Sequence, residues 1–142
     1  MTGVEKRLSV TGGAALHIMT KVYGRANEMG KAVFIAVTDS TGGVVGLLGH
    51  EKCPVMCWQV CQDKAYTAFA TQMKTSKWKS YVYSTSEDDR QVMMSQKGFI
   101  AASGGAPIMV EGIVAGGIGV SGAGQQEDEE LADYGAALIN EL

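Results

Sequence analysis

Apolar residues recur at helical spacing near the start of the chain. Ala15, Ile18, Met19, Val22, Ala26 and Met29 share one face at 3.6 residues per turn. They predict a helix over about residues 9–29, closed by Gly30 as a C′ glycine. The pattern then changes. AVFIAVTD (32–39) and VVGLLGH (44–50) are short apolar runs with β-branched residues, and STGG between them is turn chemistry, so together they predict a β-hairpin. Pro54 suits the first turn of a second helix over about 54–73, with Cys57, Trp58, Cys61, Ala65, Ala68 and Phe69 on its apolar face and Trp58 in the core.

Residues 74–98 hold no period and much of the charge, and read as short helical turns within a loop. The run GFIAASGGAPIMVEGIVAGGIGVSG (98–122) reads as strands broken at Gly104–Gly105 and at Glu111–Gly112. A last helix over 125–142 takes its apolar contacts from Leu131, Tyr134, Ala137 and Leu138. Hairpins and short strand links in this order predict an α+β sandwich, an antiparallel sheet covered by helices.

Bulk properties narrow the picture. A chain of 142 residues suits a single domain, 1–142, around one core. A net charge of −3 lacks the basic surface that nucleic acid requires. No run reaches the roughly 18–20 apolar residues of a membrane span. Three cysteines and no apolar leader fit a reducing, cytoplasmic setting. The 19 glycines cluster at 42–49, 104–105 and 112–124, where backbones approach each other or a ligand closely. The acids Glu127, Asp128, Glu129 and Glu130 fall in the first turn of the last helix, where negative charge opposes the helix dipole.

Several segments carry a resemblance. KAYTA (64–68), Thr75, GGAPI (104–108) and GIGVSG (117–122) followed by Asp128–Glu129, with AVTDSTGGVV in the hairpin, resemble the GlcG/HbpS family. That family includes the carboxy-terminal domain of PduO-type proteins, and the likeness spans about residues 8–142. It implies a profilin-like sandwich with a five-stranded antiparallel sheet, assembled as a homo-oligomer. It further implies haem binding in some members and a place in glycolate, diol or aromatic catabolism. The segments HEKCPVMCWQVC (50–61) and SKWKSYVYSTSEDDR (76–90) depart from the family pattern.

Candidate residues follow from their chemistry. Lys64, at the margin of an apolar helix face, needs a partner: a protein acid such as Asp128, or the carboxylate of a ligand such as a haem propionate. Gly104, Gly105, Gly119, Ser121 and Gly122 offer backbone amides to an anion, or serve turns and close packing. Cys53, Cys57 and Cys61 form one helical stripe better suited to buried thiols than to a metal, and Cys53 at a helix start invites a lowered pKa. His17 lies on the polar face of the first helix, an exposed histidine or a haem axial ligand at a subunit contact. His50, with Glu51 beside it, is the first choice for acid–base work. Trp78, Tyr81 and Tyr83 would wall an aromatic pocket or a subunit contact.

Two functions fit these residues. One is a small-molecule-binding protein for haem or a small carboxylated metabolite. The other is a cofactor-free lyase, isomerase or tautomerase on a carboxylated catabolite, with Lys64 and the glycine amides holding the carboxylate and His50 or Glu51 moving protons.

Overall fold

The computed structural model describes residues 2–142. Helix α1 spans Gly12–Glu28, capped by the Thr11 hydroxyl, which accepts from the Ala14 amide at 3.1 Å. Gly30 follows with φ 71°, the left-handed value expected of a glycine after a helix end. Strands β1 (Phe34–Thr38) and β2 (Val44–Gly49) form the hairpin, and α2 covers Met56–Thr71. After α3 (Thr75–Ser84) and α4 (Glu87–Met94) come β3 (Gly105–Val110), β4 (Ile113–Ser121) and α5 (Gln125–Ala137), closed by a 3-10 turn over Leu138–Glu141.

The sheet is antiparallel with strand order β2-β1-β4-β3. One face packs against α2, the other against α1 and α5. On the α1/α5 side lies the larger core, with Ile18, Val22, Ile35, Ile118 and Leu131 almost wholly enclosed. Complete burial of such side chains stabilises the fold by about 1.5–3 kcal/mol each.

Among the described residues four strands form the sheet, not the five that the resemblance implied. The apolar stretch before β3 joins no ladder because Thr67 of α2 takes its backbone groups. The Thr67 hydroxyl accepts from the Ile100 amide at 3.0 Å and donates to the Gly98 carbonyl at 3.2 Å. Residues 74–98 are more ordered than a loop. Ser86 caps α4 by accepting from the Asp89 amide, and the Arg90 guanidinium donates to the carbonyls of Val82, Tyr83 and Thr85 at the end of α3. Trp58 is not a core residue but 46% exposed. The sheet-facing side of α2 carries Cys57, Cys61, Lys64, Ala65 and Ala68, and one helical step beyond Cys57 turns Trp58 off it.

Candidate functional site

Two places in the fold hold the chemistry. The first lies where β4 ends. Lys64, 2% exposed, donates from Nζ to Asp128 Oδ2 at 3.0 Å and to the Val120 carbonyl at 2.8 Å. Asp128, 3% exposed, accepts the Ala123 amide on its other oxygen at 2.9 Å. The pair therefore joins α2, the end of β4 and α5, with both charges partnered as burial demands. This is the protein acid that the sequence offered as one of Lys64's two partners.

The glycines explain how an ammonium fits there. A Cβ on Gly104 (φ 120°) would stand 2.8 Å from Lys64 Nζ and 2.6 Å from the Val120 oxygen. One on Gly119 would stand 2.0 Å from the Cys61 carbonyl, and one on Gly105 2.4 Å from that of Lys64. These glycines let α2 lie directly on β3 and β4. Two of the three are also engaged within the chain through their backbone, and the Gly104 carbonyl accepts the Val120 amide at 2.8 Å. The Gly105 amide donates to Thr75 Oγ1 at 2.8 Å, and Gly119 sits in the ladder between Ala36 and Gly105. Ser121 is buried opposite Phe34, and Gly122 takes φ 127° where a Cβ would stand 2.7 Å from Cys53 Sγ.

Cys53 sits at this same end, 3.7 Å from the Ser121 carbonyl. The lowered pKa expected of it is not found. Burial, with the Cys57 thiol beside it, pushes the Cys53 thiol up to about 12. Burial likewise pushes Cys61 up to about 12. Cys53 precedes α2 by three residues, and its Sγ meets the Ser121 carbonyl at the end of β4, which favours the protonated thiol. Among the described residues no group of three or more His, Cys, Asp or Glu side chains is placed to hold a metal ion.

The second place is defined by the histidines. His50 follows β2, its ring stacked on Tyr23 with centroids 5.7 Å apart. Its Nδ1 accepts the Lys52 amide at 3.1 Å and stands 3.7 Å from the Glu51 carboxylate. A neutral ring accepting at Nδ1 must carry its proton at Nε2, so His50 is held as a donor, with no free lone pair. His17, expected on an exposed polar face, is half-buried on α1, and its Nε2 is covered without a hydrogen-bond partner. Helix α1 packs against both the sheet and α5, which narrows the polar face that the 3.6-residue spacing suggested.

Trp78 is buried on α3, 6.1 Å from Tyr81 and edge-on to Phe99 at 5.6 Å, so it packs inward rather than walling an open pocket; Tyr81 and Tyr83 are exposed. Lys64, Asp128, Gly104, Gly119 and Cys53 thus come together, whereas the Trp78–Tyr81 pair belongs to a separate cluster. Sequence reading missed the strap between α3 and α5. Lys74 bonds Asp133 at 2.8 Å and Glu129 at 3.3 Å, and Ser76 donates to Glu129. The Ser76 hydroxyl and the Lys74 ammonium hold Glu129 below the usual carboxylate range. The spacing of Glu129 and Asp133 at i, i+4 was the available signal.

This architecture is that of a known family. The profile of the family described as "Haem degrading protein HbpS-like" matches residues 10–137, and the chain belongs to it. An uncharacterized 15.0 kDa protein of the dhaT-dhaS intergenic region of Citrobacter freundii is 25% identical over 134 residues, 94% of each chain. The crystal structure of the Klebsiella pneumoniae protein ORFY superposes with a TM-score of 0.92 at 24% identity, over all of this chain and 98% of that one. A crystal structure of a PduOC:heme complex superposes with a TM-score of 0.84 at 20% identity, over 94% of this chain and 96% of that one. No helix among the described residues is long and apolar enough to cross a membrane.

Proposed function

We propose that this protein binds haem, with His17 as the side chain that ligates the iron. The observation that carries the reading is the His17 Nε2 atom, covered by the fold without a hydrogen-bond partner as Trp78 Nε1 and Thr38 Oγ1 also are, and of the three the one able to ligate iron. A polar atom left so costs about 1–3 kcal/mol, a cost that a ligand bond removes. Support comes from the family description and from the haem complex of a protein of the same fold. An imidazole nitrogen is also a standard donor to haem iron.

His50 is the less suitable ligand, because its Nδ1 is taken by the Lys52 amide and its other nitrogen carries the proton. Lys64 does not serve a propionate in this reading, since its ammonium is spent on Asp128 and the Val120 carbonyl. Bound haem would supply iron chemistry; the chain's own part is to present the imidazole and exclude water around it. Titrating the purified protein with haemin, followed by absorption, tests this. A saturable Soret shift at one haem per chain is expected, and a shift that never saturates would overturn the reading.

A further inference from the structure

Along α2, Gln59, Gln62 and Asp63 stand at i, i+3 and i+4 and so share one strip of the helix, with Tyr66 about one turn further on. That strip borders a groove of about 430 Å³, a volume suited to a small molecule. Its other walls are Val44, at the start of β2, and Lys97–Gly98, after α4.

The walls are fixed by the fold. The Gly98 carbonyl accepts the Thr67 hydroxyl at 3.2 Å. The Tyr66 ring is lodged between two glycines of positive φ. A Cβ on Gly42 (φ 84°) would stand 2.9 Å from Tyr66 Cε1, and one on Gly98 (φ 86°) 3.1 Å from Tyr66 Cδ2. A site whose walls are set in advance loses little on binding to ordering them.

The lining chemistry is selective. The Gln59 side-chain nitrogen donates to Asp63 Oδ1 at 2.9 Å, and that of Gln62 donates to the Trp58 carbonyl at 2.9 Å. With both nitrogens turned back onto the helix, two amide oxygens and Asp63 Oδ2 are left as acceptors. Three acceptors with one negative charge match a primary ammonium, which has three donors and no acceptor. Lys97 brings a cation to the same groove, and neither it nor Asp63 joins an ion pair among the described residues. Opposite charges that line one groove without pairing suit a ligand that carries both.

We propose that this groove binds a small zwitterion of the amino-acid type. Asp63 and the two glutamine oxygens hold its ammonium, Lys97 its carboxylate, and Tyr66 and Val44 its apolar side chain. The groove borders α2, on one face of the sheet, whereas His17 belongs to α1 on the other, so the proposal does not depend on haem.

Ligand-observed NMR titration of the purified protein with the neutral L-amino acids tests it. At least one should saturate at one molecule per chain. Its amide, which lacks the carboxylate, and the matching carboxylic acid, which lacks the ammonium, should each bind about fivefold more weakly. Asp63→Asn and Lys97→Met, each confirmed as folded by circular dichroism, should weaken the amino acid by a similar factor. Should Asp63→Asn fail to fold, Lys97→Met, at an exposed position, decides. The proposal is overturned if no amino acid saturates, if the amide or the acid binds as tightly as the amino acid, or if either folded variant binds as tightly as the wild type.

Discussion

Lys64 and His17 are both polar side chains drawn into an apolar setting, and the fold treats them in opposite ways. Around Lys64 two donors have partners, the facing carboxylate is bonded on both oxygens, and Gly104 and Gly105 clear the space. Around His17 nothing is provided: Nε2 is covered and unbonded. A group whose charge is paired inside the chain is an element of construction. A group left wanting is where a ligand gains most by binding.

The contrast can be broken first at its structural side. Lys64→Ala leaves Asp128 as an unpaired buried carboxylate and should destabilise the chain by about 3–5 kcal/mol in urea unfolding. The double replacement Lys64→Met, Asp128→Leu should recover most of that loss. If Lys64 instead served a ligand, the single variant would keep its stability and lose only binding. Next in size is Gly119→Ala, whose Cβ would press on the Cys61 carbonyl at 2.0 Å. Overpacking of this kind costs about 1–3 kcal/mol, and a thermal melt should show it.

A smaller effect concerns the thiols. Cys53 and Cys61 hold their protons up to about 12, above the ordinary thiol value of about 9. Their contribution to stability is full below that ordinary value and falls as pH rises from about 9 toward 12. Melting temperature should therefore decline across that window in the wild type, and more gently in Cys61→Ala. Cys53 should also react slowly with iodoacetamide at neutral pH, in contrast to an activated thiol.

Much of the architecture could be read in advance because its signals are local. The 3.6-residue period of α1, the STGG turn and the Glu111–Gly112 break each depend on a few adjacent residues, and each marks a real boundary. The absent fifth strand could not be read this way, because it is undone by the Thr67 hydroxyl thirty-odd positions away on another element. Trp58 shows the same limit at the scale of one residue: whether a side chain at the rim of an apolar stripe faces in or out depends on how the helix rolls on the sheet. At the site, the chemistry of Lys64 was legible, including Asp128 as a possible partner. Choosing between partner and ligand needed the distances. His17 looked like a surface residue from its helical position, and only the packing of α1 on α5 and the sheet reveals the covered nitrogen.

The most direct test sets the two histidines side by side. Haemin is titrated into His17→Ala and His50→Ala and followed at the Soret band, with melting curves to confirm that both variants fold. The account predicts that His17→Ala loses the saturable shift while keeping wild-type stability, and that His50→Ala retains it. Retention in His17→Ala with loss in His50→Ala would contradict it.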